Sequence, residues 1–211
     1  PMLLIFATMQ TRLQSFTIGK KAISIFVPDS FAIQKEYKHQ HTPYWGQVWH
    51  AAIGLCIFLQ EHPEYIKNKT VLELGAGLGL PGIAAAANAK DVCISDKSAE
   101  AMAIVEKSVL HHQLNNVSCK VIDWDIIENI TIPEVVLLRD INYEPDAFAP
   151  LLIMINHLLE NSCTIILSTP QRLMAKNFIE QVLVKCINQA TIPVLLREKQ
   201  EDISVFVLVK K

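Results

Sequence analysis

Four glycines within eight residues, Gly75, Gly77, Gly79 and Gly82, follow directly on the apolar run Val71-Leu72-Glu73-Leu74, although the whole chain of 211 residues has only seven glycines. Such crowding needs a local cause. A strand that bends sharply into a helix needs positive φ, and a ligand that touches backbone amides leaves no room for a Cβ; glycine meets both demands. Pro81 suits the first helical turn, where its missing N–H costs nothing. The plain alternative is a tight turn packed on its own helix with no ligand, and the density of glycines speaks against it.

Two ligand classes compete for such a turn. Gly77, Gly79 and Gly82 spell G-x-G-x-x-G, the dinucleotide fingerprint, in which the strand runs straight into the first glycine. Here the strand meets Gly75 first, so the register favours G-x-G-x-G. The carboxylate of Glu73, beside the turn, also suits a cationic ligand better than a pyrophosphate, which it would repel. A ligand with an ammonium and a sulfonium but no phosphate fits both features.

The pattern around this turn is that of an α/β domain. Short apolar runs at residues 70–74, 92–95, 118–122, 134–138 and 164–168 alternate with helical periodicity at 81–89, 98–114, 145–160 and 171–188. Two last runs, 193–198 and 203–209, leave no space for a helix between them and predict an antiparallel pair. The sum is a Rossmann-like, mostly parallel seven-stranded sheet with a C-terminal antiparallel hairpin and helices on both faces. Ahead of it, alternation at 14–18 and 22–27 about Gly19 predicts a small β-hairpin, and 48–59 predicts an amphipathic helix. We therefore divide the chain into an N-terminal hairpin extension, 1–41, and one compact domain, 42–211.

Composition supports a single core: 51% of residues are apolar and 19% charged. A net charge of −2 lacks the cationic surface that a nucleic acid requires, so none is expected as partner. Five scattered cysteines without a C-x-x-C pair suggest neither disulfides nor zinc, and the histidine pairs His39/His41 and His111/His112 lack partners at ligand spacing. The apolar run 2–7 is too short to span a membrane and no basic leader precedes it, so a cytoplasmic location and no membrane partner are expected.

The segment Val71-Leu-Glu-Leu-Gly-Ala-Gly-Leu-Gly-Leu-Pro-Gly82 resembles the seven-stranded, class I S-adenosylmethionine-dependent methyltransferases, and more narrowly methyltransferase family 16, which includes many protein-lysine methyltransferases. The resemblance runs from about residue 42 to 172 because further motifs recur in order. It implies S-adenosylmethionine as cofactor, held at Glu73, Gly75, Ala76, Gly77 and Gly79. Asp96, ending the second core strand, is placed to accept hydrogen bonds from both ribose hydroxyls, with a helix cap as its alternative role. By resemblance Asp123 and Trp124 border adenine, and Trp49, in Pro43-Tyr-Trp-Gly-Gln-Val-Trp49, matches a segment that folds over the cofactor.

The fourth core strand ends in Arg139-Asp140-Ile-Asn-Tyr143, which matches the family's D-x-x-Y motif. Asp140 and Tyr143 are the expected catalytic pair: Asp140 orients an amine, and Tyr143 supplies a wall and a nearby hydroxyl. Arg139 stands next to the cofactor where the family has a small residue, and Arg172 matches a basic position bordering the substrate entrance. The expected activity is methyl transfer to an amine nitrogen, above all a protein lysine, by a monomer. A small-molecule N-methyltransferase, a non-catalytic module that binds the cofactor, and a nicotinamide oxidoreductase are the alternatives.

Overall fold

The computed structural model describes residues 9–29, 31, 33, 37, 43–124, 130–142 and 145–211. Strands β1 (Thr11–Ile18) and β2 (Lys21–Pro28) form an antiparallel hairpin closed at Gly19, whose φ of +55° suits the tight loop. The strands are longer at their outer ends than the alternation predicted. Phe16, Ile18, Ile25 and Val27 point into the same apolar cluster as the rest of the domain, so the hairpin shares that core.

Helix α1 (His50–Glu61) buries Ala51 through Cys56 together with Phe58 and Leu59. The sequence predicted an amphipathic helix. The structure instead sets it against the large sheet and the hairpin, so that it is apolar nearly all round.

The large sheet contains β3 (Thr70–Leu74), β4 (Asp91–Asp96), β5 (Val117–Val121), β6 (Val135–Arg139), β7 (Thr164–Pro170), β8 (Cys186–Leu196) and β9 (Lys199–Leu208), in the order β5-β4-β3-β6-β7-β9-β8. The first five strands are parallel, and β9 runs antiparallel to both β7 and β8. Helices α2 (Leu80–Ala85), α3 (Ala99–His111), α4 (Phe148–Glu160) and α5 (Lys176–Leu183) cover the faces. Apart from Thr70 at the start of β3, strands β3 and β6 are apolar except for Glu73 and Arg139, as expected of central strands buried on both sides.

The C-terminal part departs from expectation. The helix predicted for 171–188 is cut to Lys176–Leu183, with a short 3-10 turn at Leu173–Ala175 before it, and β8 begins at Cys186. Polar residues Asn188 and Gln189 conceal the strand in the sequence; pairing with β9 overrides local preference. Pro193 is tolerated because β8 is the sheet edge. The β8–β9 turn uses Arg197 and Glu198 at φ +51° and +65°, without the glycine that normally betrays such a turn.

From β3 the chain steps outward through β4 to β5, then returns to place β6 on the other side of β3. The connections leaving β3 and β6 therefore diverge. This switch point opens a crevice at the strands' carboxyl ends, where open α/β sheets bind ligands.

Candidate active site

The turn after β3 folds as its glycines demand. Gly75, Gly77 and Gly79 have φ of +63°, +49° and +67°. A Cβ on Gly77 would lie 2.5 Å from Arg139 Nη2 and 3.3 Å from the Trp45 backbone, so side-chain-free peptide is required there on two counts. Gly77 N donates to Asp96 Oδ2 at 2.8 Å, and Ser98 N donates to Asp96 Oδ1 at 2.9 Å. The helix cap expected as the alternative role of Asp96 belongs to Ser98, whose Oγ accepts from Ala101 N. Asp96 is thus held by two backbone amides and keeps lone pairs free on both oxygens.

At the carboxyl end of β6, Arg139 and Asp140 diverge. In register Glu73 faces Leu137, and Arg139 stands two residues on, so Glu73 and Arg139 project from the same face of the sheet. Arg139 Nε lies 3.5 Å from Glu73 Oε1, and Arg139 Nη2 donates to the Ala76 carbonyl. Glu73 Oε2 accepts from Gly82 N at 2.8 Å. Burial pushes the Glu73 carboxyl up to about 7, although Arg139 and the Gly82 amide both favour its charged form.

Asp140 adopts φ +48°, a left-handed conformation that aspartate tolerates better than most residues, and its N–H donates to Ser168 O. Its carboxylate receives both terminal nitrogens of Arg172, Nη1 on Oδ1 and Nη2 on Oδ2 at 3.0 Å. That bond raises the Arg172 pKa further above its ordinary value. Thr169 donates to Asn142 Oδ1 at 2.8 Å and ties the β7 end to the segment after Asp140.

These elements surround one cavity of about 600 Å³. Its floor is the peptide of Gly75 and Gly77 together with Arg139; Asp96, Asp123 and Trp124 stand on the β4–β5 side, and Asp140 with Arg172 on the other. Trp49 closes the top, its indole N–H donating to Tyr44 O at 2.9 Å. Of the residues expected at the cofactor, Glu73, Ala76 and Gly79 do not reach this space. Glu73 and Ala76 are wholly buried behind the floor, and Gly79 faces Val105 and Ile94 as the first residue of the helical turn. Glu73 thus acts on the cavity only through Arg139 and the Gly82 amide. Tyr143 lies outside the described residues.

Sequence reasoning missed Lys97, Ile122 and Ile141 on the cavity wall, residues that simply follow the strands already recognised. Among the described residues no cluster of three or more histidine, cysteine, aspartate or glutamate side chains is placed to hold a metal.

A crevice at a switch point, floored by bare glycine peptide, with an amide-anchored carboxylate one strand away, defines a class I S-adenosylmethionine-dependent methyltransferase. The residues present suit the cofactor: the cavity is of its size, and Asp96 keeps lone pairs that could accept from ribose hydroxyls. More particularly, residues 30–185 match the family described as lysine methyltransferase, Methyltransf_16, and the chain belongs to it.

It is 29% identical over 187 residues to the protein N-lysine methyltransferase METTL21A of Xenopus tropicalis, covering 86% of this chain and 84% of that protein. METTL21A of Danio rerio is 30% identical, with 77% and 76% covered. The histone-arginine methyltransferase METTL23 of Homo sapiens is 30% identical over 146 residues, 65% of this chain and 76% of the relative. Among solved structures, SMU.776 complexed with SAH shares the fold at TM-score 0.63 and 14% identity, covering 92% of this chain and 55% of that one. The N-methyltransferase NodS of Bradyrhizobium japonicum does so at TM-score 0.58 and 9% identity, with 74% and 94% covered.

Proposed function

We propose that this protein transfers the methyl group of S-adenosylmethionine to the side-chain nitrogen of a lysine in a protein substrate, with Asp140 at the acceptor. The observation that carries the reading is that the Asp140 carboxylate opens on the same cavity as the bare Gly75–Gly77 peptide while already holding a cation, the Arg172 guanidinium. A protonated lysine is a cation of the kind this carboxylate accepts.

Bound S-adenosylmethionine supplies an electrophilic methyl group and a neutral thioether as leaving group. Asp96 would hold the ribose hydroxyls on its remaining lone pairs, Asp123 and Trp124 would border the base, and Trp49 would cover the site. The lysine nitrogen, with a reference pKa near 10.4, must lose a proton before it can attack. Entry beneath the aromatic cover desolvates it and lowers that value against the opposing pull of the Asp140 carboxylate, and the proton leaves to bulk water. Asp140 accepts a hydrogen bond from the nitrogen and aims its lone pair; Arg172 yields at least one of its two bonds in exchange. Positioning then supplies most of the acceleration, as in other bimolecular displacements.

The test is incubation with methyl-labelled cofactor and lysate proteins, followed by mass spectrometry of the labelled peptides. Label on lysine Nζ is expected. Label confined to small molecules would overturn the protein substrate. A second reading has its own observation: Asp140 grips a guanidinium with both oxygens, the geometry an arginine acceptor would use. Label on arginine in the same spectra would establish it instead.

A further inference from the structure

Among the described residues, Arg139 is the one cation on the cavity wall that is nearly inaccessible to solvent, with 7% of its surface exposed. Its guanidinium carries five N–H groups. Nη2 gives one to the Ala76 carbonyl, and Nε faces Glu73 Oε1 at 3.5 Å as an ion pair, at the outer limit of hydrogen bonding. Among the described residues no acceptor is bonded to Nη1 or to the second Nη2 proton. Of the three guanidinium nitrogens Nε alone is both buried and without a hydrogen-bond partner among the described residues, which leaves the donors at Nη1 and Nη2 for a ligand in the cavity.

The location narrows what that partner is. Nη2 lies where a Cβ of Gly77 would project, so the fork lies against the glycine peptide on the cavity floor. The two other basic residues on the wall differ: Lys97 is exposed, and Arg172 is bound at both terminal nitrogens to Asp140. The acids Asp96, Asp123 and Asp140 are spread around the wall. Anything anionic in this cavity would be repelled by them unless it sat at Arg139, and a planar fork matches a carboxylate with two parallel hydrogen bonds.

We infer that Arg139 is a cofactor-binding residue that clamps the α-carboxylate of the methionine moiety of S-adenosylmethionine, with Glu73 fixing the guanidinium from behind. The inference rests on the cofactor occupying this cavity. It gives Arg139 a defined chemical partner. It also gives Glu73 a role the cavity lining does not: an indirect one, holding from behind a cation that the Ala76 carbonyl holds on its other side.

Isothermal titration with three ligands tests the clamp: S-adenosylhomocysteine, decarboxylated S-adenosylmethionine, which keeps the ammonium and lacks the carboxylate, and 5′-methylthioadenosine, which lacks the whole amino-acid tail. In the native protein, S-adenosylhomocysteine should bind at least tenfold tighter than either truncated ligand. Arg139→Met should weaken S-adenosylhomocysteine by about 10- to 100-fold, the span of hydrogen bonds to charged groups, while changing 5′-methylthioadenosine by less than threefold. Arg139→Lys should recover part of the loss. Because Arg139→Met strands Glu73, the double variant Glu73→Gln/Arg139→Met provides the same comparison with that charge removed.

Equal losses for tailed and tailless ligands, or no loss for either, would overturn the clamp and leave Arg139 a partner of Glu73 alone. Equal native affinity for S-adenosylhomocysteine and decarboxylated S-adenosylmethionine would overturn it without any variant. Failure of the native protein to bind any of the three would instead refute occupancy of the cavity by the cofactor.

Discussion

Glu73–Arg139, across strands β3 and β6, and Asp140–Arg172, across the carboxyl ends of β6 and β7, are two acid–arginine pairs built on opposite principles. The first is sealed in the sheet: Glu73 has no exposed surface, its contact with Arg139 is 3.5 Å, and an atom on each side lacks a hydrogen bond. The second is bidentate and partly open to water, with side chains 30% and 12% exposed. Sealed charges cannot exchange partners without great cost, whereas a half-exposed pair exchanges easily. The difference separates a fixed floor, suited to a ligand that is always the same, from a replaceable contact, suited to an acceptor that must enter and leave. The conformations agree: fixed glycine peptide on one side, an aspartate in a left-handed conformation on the other.

The largest effect on stability should come from breaking the sealed pair on one side. Arg139→Met leaves a buried carboxylate unpaired and should cost about 3–5 kcal/mol in urea unfolding, most of which Glu73→Gln should restore in the double variant. If the single and double variants unfold together, the pair is not coupled.

A smaller and graded effect is expected with pH. The folded carboxyl of Glu73 titrates at about 7 and the unfolded one at 4.5, so the folded state binds more protons between those values. Stability therefore falls as pH rises from about 4.5 to about 7 and levels off above. Thermal unfolding of native protein and Glu73→Gln across that range should show a stability difference that grows with pH, the native protein losing more; parallel curves would place the Glu73 pKa in the ordinary range.

Gly77→Ala should cost about 2 kcal/mol from its positive φ together with the collision at Arg139 Nη2, and it should also weaken S-adenosylhomocysteine. Smallest is Arg172→Ala, which removes the open pair and should change stability by no more than about 1 kcal/mol, since such pairs contribute little in water. A loss as large as that of Arg139→Met would erase the contrast between the two pairs.

Much of this was legible in the sequence, for reasons that differ by region. The turn after β3 announces itself because positive φ and close peptide approach can be met only by glycine, and Asp96 follows from its distance along one β-α unit. The central parallel strands β3, β6 and β7 are readable as apolar runs because both of their faces are buried. The pairing of Arg139 with Glu73 was not legible: it depends on two strands being neighbours with residues of equal parity, which only the sheet register supplies. For the same reason Glu73 looked like a ligand contact when it is a residue behind the wall. The long strand β8 was hidden by its polar edge positions, and its glycine-free turn left no signal.

The division of labour across the cavity is tested most directly by measuring S-adenosylhomocysteine affinity and methyl transfer side by side in Asp96→Asn and Asp140→Asn. Asp96→Asn should weaken the cofactor product by about tenfold or more, as expected for lost charge-assisted hydrogen bonds. Asp140→Asn should leave that affinity within about threefold of native while transfer falls by about 100-fold or more. Native-like turnover in Asp140→Asn, or a loss of cofactor affinity equal to that of Asp96→Asn, would contradict the assignment of the acceptor to the β6 end.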